Sequence, residues 1–163
     1  MGRDREDNRK GSWRMKRKVF VDTNIFMYAR GKNHPLKEAC TRIIFSIAKR
    51  ESIAHYGIPV IDTEVFQEII YRYAMTGQWD VGISICQDIL ILGMEVLPVG
   101  NTEVTQFLKL AEKYKVQNVP PRDLIHTAVM VSSGINHIIT ADKHFADIKE
   151  IIRVAPDKVR AIG

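Results

Sequence analysis

The sequence lacks the features that mark several specialised classes of protein. It has no apolar run near the roughly 18 residues that a membrane span needs, and no apolar N-terminal stretch typical of a signal peptide. Its only two cysteines, Cys40 and Cys86, have no CxxC spacing, which argues against a disulfide scaffold or a cysteine metal site. Neither glycine-rich phosphate-binding motif occurs. We therefore expect a cytoplasmic globular protein with reduced thiols.

The chain also has no net charge outside its N-terminal segment. The formal net charge is +5, but residues 1–18 contain eight basic and three acidic residues, which account for all of it. The remaining 145 residues carry 16 basic and 16 acidic side chains. We expect residues 1–17 to form a disordered basic extension before one domain at 18–163. Contact of this extension with nucleic-acid phosphates stays an open alternative.

Apolar runs and helical periodicities alternate along the rest of the chain. The pattern predicts short strands at 18–21, 53–61, 94–99, 137–140 and 151–154, and helices at 35–50, 63–75, 78–92, 102–114 and 121–133. Strands that alternate with helices or helix pairs predict an α/β fold, in which helices cover both faces of a central parallel sheet. Ligands bind such sheets at the carboxyl ends of the strands.

Two of the predicted strands are followed by an aspartate. Asp22 directly follows the first strand and Asp142 follows the strand at 137–140, so both carboxylates would lie on one edge of a parallel sheet. Either aspartate alone could simply cap the next helix, whereas two acids on one edge favour a site. The polar residues beside them, which could orient them or coordinate water, are Thr23, Asn24 and Thr140.

The helical periodicity adds two further acids. Asp123, in the first turn of its helix, flanks the buried stripe and could reach the sheet edge, or it could only interact with the helix N-terminus. In the helix at 63–75, Glu68 lies at the margin of the buried face, whereas Glu64 lies nearly opposite that face. We therefore prefer Glu68 to Glu64, and Asp62 is a weaker candidate that could cap this helix.

Clustered carboxylates repel one another unless their pKa values rise or cations offset the charge. Four acids without a histidine-rich cluster or cysteine ligands indicate a hard, oxygen-preferring ion, either Mg²⁺ or Mn²⁺. One or two such ions can promote in-line displacement at phosphorus. This set of residues therefore predicts hydrolysis of a phosphodiester bond.

The segments around these acids resemble the successive motifs of the PIN-domain nucleases, and the overall length is similar to that of the VapC-like toxins of toxin–antitoxin modules. The segments are Val19–Asn24, Glu64–Ile70, Arg122–Ala128 and Ile139–Phe145. The resemblance implies a three-layer α/β/α Rossmann-like PIN fold and a Mg²⁺- or Mn²⁺-dependent endoribonuclease. It implies catalytic and metal-binding roles for Asp22, Glu68, Asp123 and Asp142, and supporting roles for Asn24, Thr140 and Asp147. It also implies an RNA substrate, a homodimer and a small antitoxin partner.

Other residues near the motifs allow more than one interpretation. Basic side chains could hold RNA phosphates or be ordinary surface residues; they are Arg122, Lys143 and His144, with Arg30 and Lys32 shortly after the first acid. For His126, a structural role is preferred to a catalytic one. Aromatic residues make up 8% of the chain, so no base-stacking platform is evident. The apolar segment Tyr71–Met75, with Trp79, could form a partner surface or belong to the core.

Two functions of other classes stay open at this point. A non-catalytic RNA-binding or RNA-processing assembly module would bind RNA without metal and without turnover. A metal-dependent phosphatase would also suit a carboxylate pocket, but the haloacid-dehalogenase type needs an aspartate at the position of Asn24.

Overall fold

In the part of the chain that the structure describes, five parallel strands form one central sheet. The structure is a computed structural model and describes residues 16–160. The strands are β1 (Lys18–Val21), β2 (Ile58–Asp62), β3 (Glu95–Leu97), β4 (His137–Ile139) and β5 (Ile152–Val154). They lie in the order β3-β2-β1-β4-β5, and all neighbours are parallel. The direction in which strands are added therefore reverses between β1 and β4.

Helices connect the strands and cover the sheet. Within residues 16–160 they are α1 (Thr23–Arg30), α2 (Lys37–Ala48), α3 (Glu64–Ala74), α4 (Trp79–Leu92), α5 (Asn101–Tyr114) and α6 (Pro121–Ser132). Right-handed crossovers place α1 to α4 over one face and α5 with α6 over the other. The packing of α1 on α2, α3 on α4, and α5 on α6 agrees with this division. The predicted three-layer α/β/α fold is confirmed.

The central strands are buried on both faces. Val19, Phe20, Val60, Ile138 and Ile139 have no exposed surface, as expected for a parallel sheet covered by two helical layers. Cys40 is buried and Cys86 half-buried, and both are free thiols. Among the described residues, no helix has the length and apolar character needed to cross a bilayer.

Two segments differ from the sequence prediction. The extended segment predicted at 53–61 is wrong in its first half, where Ala54–Tyr56 form a 3₁₀ turn and β2 begins only at Ile58. Pro59 has no backbone N–H, but β2 needs none at this position. The Ile58 N–H donates to the Arg17 carbonyl next to β1, so the nitrogen of Pro59 points to the opposite side, toward β3. Pairing with β3 begins only at Val60. The short helix α1 was not indicated by the periodicity. The extension predicted to be disordered lies mostly in residues 1–15, outside the described residues.

The turn before β2 requires a glycine. Gly57 has a φ of +115°, and a Cβ atom there would lie 2.1 Å from the carbonyl oxygen of Arg17. The close approach lets Arg17 accept the Ile58 N–H at 2.8 Å, so that β2 pairs with β1 from its first residue. This contact sets the register that brings the carboxyl ends of the two strands together.

Candidate active site

Three neighbouring strands end in buried polar side chains at one edge of the sheet. Asp22 follows β1, Asp62 ends β2 and Thr140 follows β4, and each is at most 5% exposed. The backbone N–H of Asp22 donates to the carbonyl of Ile139 at 3.0 Å, which fixes the ends of β1 and β4 relative to each other. This is the edge, and the reversal point, at which open α/β sheets bind ligands.

Asp22 is held at both carboxylate oxygens. Its Oδ1 accepts the backbone N–H of Thr23 at 2.7 Å, and its Oδ2 accepts from Asn24 Nδ2 at 2.9 Å and from Thr140 Oγ1 at 2.5 Å. Burial raises the pKa of Asp22 above its ordinary value, although the charge of His126 and the Thr140 hydrogen bond oppose the rise. The sequence-predicted neighbours of Asp22 thus orient its carboxylate.

Glu68 reaches the same cluster from the second turn of α3. Its Oε2 accepts from Thr23 Oγ1 at 2.8 Å, and its Oε1 accepts from Arg72 Nη2 at 3.0 Å. Burial raises the pKa of Glu68, but hydrogen bonds from His126 and Thr23 outweigh it and lower the pKa to about 2. Glu68 is therefore ionised at neutral pH. Glu64, one turn earlier, makes no hydrogen bond to the cluster.

A buried histidine joins Glu68 to the end of β2. His126 Nδ1 lies 2.7 Å from Asp62 Oδ2, and His126 Nε2 lies 3.4 Å from Glu68 Oε2. Burial lowers the pKa of His126, but the charge of Asp62 and the hydrogen bonds to both carboxylates raise it well above its ordinary value. Asp62 Oδ1 also accepts the Val65 N–H at 3.2 Å, the capping contact expected of it. His126 is therefore a fully bonded buried cation that contacts the cluster.

Asp123 brings a carboxylate from the first turn of α6. The residue is 3% exposed, and its Oδ2 is the one buried side-chain nitrogen or oxygen within residues 16–160 that has no hydrogen-bond partner. Burial, together with the negative charges of Asp142 and Asp22, raises the pKa of Asp123 to about 6. A buried carboxylate oxygen without a partner is costly, and a cation would satisfy it.

Asp142 completes the cluster on its open side. Its Oδ1 accepts the backbone N–H of His144 at 2.9 Å and lies 2.8 Å from His144 Nδ1. The backbone around it is held from two directions, because Thr140 Oγ1 accepts the Asp142 N–H and Arg153 donates to the Asp142 carbonyl, at 2.9 and 2.8 Å. Asp142 is thus fixed in position while its side chain stays partly accessible.

The donor set fits a hard divalent cation. Ligand atoms of Asp22, Glu68 and His126 lie within 4.8 Å of one another, but both His126 nitrogens already face carboxylates. Carboxylate oxygens are therefore the available ligands, as Mg²⁺ and Mn²⁺ prefer. The acids Asp22, Asp62, Glu68, Asp123 and Asp142 outnumber the neighbouring cations His126, Arg72 and Arg122, which leaves negative charge for a metal ion to offset.

The other predicted residues lie at the margin of the cluster or outside it. Arg122 is half exposed, with Nη1 3.9 Å from Glu68 Oε1 and Nε 3.5 Å from Asp123 Oδ1. Lys143 and Asp147 are exposed in the 3₁₀ turn Lys143–Asp147. Within residues 16–160, the Asp147 side chain makes no hydrogen bond or ion pair. Arg30 instead pairs with Asp88 on α4.

Sequence reasoning missed the contact between Asp62 and His126. The two residues lie 64 positions apart, and each has an ordinary structural explanation by itself. The available signal was the position of Asp62 at the end of a strand, next to the strand that carries Asp22.

Known proteins resemble the chain in both sequence and structure. A family model described as the PIN domain matches residues 19–151. VapC ribonuclease Mb1869c of Mycobacterium bovis and ribonuclease VapC13 of Mycobacterium tuberculosis are both 31% identical over 138 residues, which cover 84% of this chain and 99% of each relative.

Two solved structures share the fold at low sequence identity. VapC20 of M. tuberculosis, described as a sarcin–ricin loop cleaving toxin, has a TM-score of 0.68 at 15% identity, and the match covers 88% of this chain and 99% of that one. VapBC2 of Rickettsia felis, bound to a DNA fragment from its promoter, has a TM-score of 0.63 at 18% identity, with 85% and 98% covered.

Proposed function

The chain belongs to the PIN domain family, and from this membership we propose that it is a metal-dependent endoribonuclease that hydrolyses RNA phosphodiester bonds. The proposed catalytic and metal-binding residues are Asp22, Glu68, Asp123 and Asp142. The observation that carries the proposal is the partnerless Asp123 Oδ2, buried close to the charges of Asp22 and Asp142. Such an arrangement costs stability in the absence of a cation, and it supports a metal-binding role.

Mg²⁺ or Mn²⁺, held by those four carboxylates, would activate water and offset the charge that develops on the phosphate. The protein's own part is to hold the carboxylates in place. Thr140 and Asn24 fix Asp22 through its Oδ2, and Thr23 links the start of α1 to Glu68. His126 and Arg72 keep Glu68 ionised. We assign a supporting role at the open edge to Asp147.

The partly exposed basic residues beside the acids would position the substrate. Arg122, Lys143 and His144 lie at the mouth of the cluster, where they could contact phosphates on either side of the scissile bond. Arg122 already contacts two of the site acids and keeps about half of its side chain exposed. A single-stranded or looped RNA suits this arrangement because its phosphates can bend into the sheet edge.

Relatives suggest a place for the enzyme in a toxin–antitoxin module. The solved structures that share the fold include toxin–antitoxin complexes, so we propose a small antitoxin partner. From the family resemblance we also propose a homodimer and a cytoplasmic location. Met75 and Trp79 are 69% and 56% exposed. Core packing therefore does not explain these two residues, and they are candidates for a partner surface.

The test is RNA cleavage by site variants. Asp22→Asn and Asp142→Asn should each reduce cleavage by roughly 100-fold or more, since each removes a charged ligand without changing side-chain shape. EDTA should abolish wild-type cleavage and added Mn²⁺ should restore it. The matched control is Asp80→Asn, an exposed acid in the first turn of α4, which should cleave normally.

Two outcomes would reject the proposal. Full cleavage by either site variant, or by wild type in excess EDTA, would show that the carboxylates do not carry the reaction. RNA binding without metal and without turnover would instead favour the non-catalytic RNA-binding module. Circular dichroism of each variant would establish that the fold is intact.

A further inference from the structure

A cleft of about 420 Å³ opens directly beside the carboxylate cluster. Glu68 and His126 belong to the cluster and also line the cleft, so the cleft adjoins the cluster. The remaining walls come from three helices and include Tyr71 of α3, Phe107 of α5, and Ile125 and Arg122 of α6. An RNA bound at the acids would therefore have this opening beside it.

We propose that the cleft holds one nucleobase of single-stranded RNA, next to the scissile phosphate and stacked on Tyr71. This inference rests on the proposed ribonuclease function and adds to it the recognition of an unpaired base. Bases stack on aromatic side chains in many proteins that bind single strands. Sequence analysis did not indicate such a platform because Tyr71 and Phe107 come from different helices.

The position of Tyr71 suits this role. It lies three residues after Glu68 on α3, and residues with that spacing share one side of a helix. Its side chain is 57% exposed, so a flat aromatic surface stands in solvent within one turn of a site carboxylate. Phe107 and Ile125 supply apolar surface across the cleft. A planar ring would cover these side chains on entering.

The lining of the cleft suits a neutral base. Glu64 and Glu68 line it together with Arg122 and the cationic His126, so these four charges balance and leave no net positive charge to hold an anion. Gln67 at the wall offers an amide that can donate to and accept from a base edge. Arg122 stands at the boundary with the acids, where a flanking phosphate would lie. The cleft thus suits a base whose phosphate stays outside.

The experiment measures binding of a short, labelled single-stranded RNA of mixed sequence by fluorescence anisotropy. It uses the Asp22→Asn background, so that RNA is not consumed. Tyr71→Ala should weaken binding by roughly 10- to 100-fold, the range found for loss of one stacked base. Tyr71→Phe and Tyr71→Trp keep an aromatic face and should bind nearly as tightly as the parent. Phe45→Ala is the matched control, since Phe45 is 62% exposed on α2 and does not line the cleft.

A second arm removes the base instead of the side chain. Cleavage by wild type maps the scissile position, and an RNA with an abasic nucleotide beside that position is then tested. The abasic RNA should bind the parent more weakly, and Tyr71→Ala should weaken its binding no further. If removal of the base and Tyr71→Ala each weaken binding independently, so that their effects add, the proposal is overturned, because the Tyr71 ring and the base would then not be in contact.

The outcomes separate this inference from the function on which it rests. If wild type neither binds nor cleaves RNA, the ribonuclease proposal fails. If wild type cleaves normally but Tyr71→Ala binds as tightly as the parent, only the cleft proposal fails. Light scattering on each variant tests whether a second copy of the chain occupies the cleft instead of a base. If Tyr71→Ala changes the oligomeric state and loses RNA binding together with it, the cleft is assigned to that second copy.

Discussion

Asp123 is placed where function and stability oppose each other. Its buried Oδ2 has no partner, and the charges of Asp142 and Asp22 disfavour ionisation. In EDTA at neutral pH, Asp123→Asn should therefore raise the free energy of unfolding by about 1–2 kcal/mol, while RNA cleavage is lost. Urea denaturation of the metal-free proteins measures the difference.

The matched control for this variant is Asp147→Asn. Asp147 is exposed and makes no contact with the cluster in the described part of the chain, so its amide variant should unfold within about 0.5 kcal/mol of wild type. A metal-free Asp123→Asn protein that is no more stable than wild type would contradict the electrostatic argument. It would mean that the Asp123 carboxylate is better solvated than its burial indicates.

At the residue scale, sequence reasoning can locate a side chain where one helix or one strand end determines its position. The choice of Glu68 over Glu64 depended only on the helical angle, and Glu68 is the one that contacts Thr23 and His126. The Asp62–His126 contact could not be inferred in this way, because it depends on how β2 and α6 pack in three dimensions. The same limit concealed the aromatic wall formed by Tyr71 and Phe107.

At the scale of elements, the end of α5 is tied to the segment before β5 by one carboxylate. Glu150 accepts from Tyr114 Oη at 2.6 Å and pairs with Lys113, while Tyr114 Oη accepts the Lys149 N–H at 2.9 Å. Burial raises the pKa of Glu150, but the hydrogen bonds from Lys113 and Tyr114 outweigh it and the pKa is lowered. The ionised form of Glu150 is therefore more favourable in the folded protein than in the unfolded chain.

This lowered pKa fixes the sign of a pH dependence. The contribution of Glu150 to stability is fully present above the unfolded pKa of about 4.3 and is lost as the pH falls through the lower, folded value. Glu150→Gln should therefore unfold about 1 kcal/mol more easily than wild type at neutral pH, and the difference should shrink below about pH 4. Denaturation at several pH values provides the measurement.

Glu112→Gln serves as the comparison for Glu150→Gln. Glu112 on α5 pairs with Lys115, the residue that follows the helix, but the Glu112 side chain is 74% exposed, and exposed ion pairs contribute little. Its variant should match wild type at every pH. A loss for Glu150→Gln that stays constant down to acid pH would point to altered packing and not to the charge.

The sequence predicted helices and strands accurately where each element is long enough to show a clear hydrophobic period. The helices α2 to α6 and all five strands lie within or close to the predicted ranges. α1 was not indicated because its eight residues, TNIFMYAR, are too few to show a period. Its start instead contains the polar residues Thr23 and Asn24, which serve the site as well as the helix.

At the scale of the whole molecule, the position of charges is more informative than their sum. The body of the chain is formally neutral, but four of its 16 acidic residues, the proposed metal ligands, stand in one cluster at the sheet edge. Without those four, the body of the chain has 16 basic and 12 acidic side chains. Once a metal ion offsets the cluster, the remaining surface is mildly cationic, as binding of a phosphodiester requires.

The cluster also links metal binding to global folding. Asp22 and Thr140 are hydrogen-bonded although they lie 118 positions apart, and Glu68 and Asp123 come from two further elements. An unfolded chain cannot assemble such a set, so a metal ion should bind the folded state almost exclusively. Mn²⁺ at about 100 times its dissociation constant should then stabilise the protein by about 2.7 kcal/mol, which corresponds to a rise in Tm of roughly 5–10 °C.

Thermal unfolding with increasing Mn²⁺ tests this linkage without any RNA substrate. Asp22→Asn should show little of the rise in Tm, because it removes a ligand at the centre of the sheet edge, whereas Asp80→Asn on α4 should respond like wild type. An equal rise in Asp22→Asn would place the metal ion elsewhere on the molecule. A flat response in wild type, in a protein that nevertheless cleaves RNA in a metal-dependent way, would mean that the ion arrives with the substrate and is held jointly by the carboxylates and the RNA phosphate.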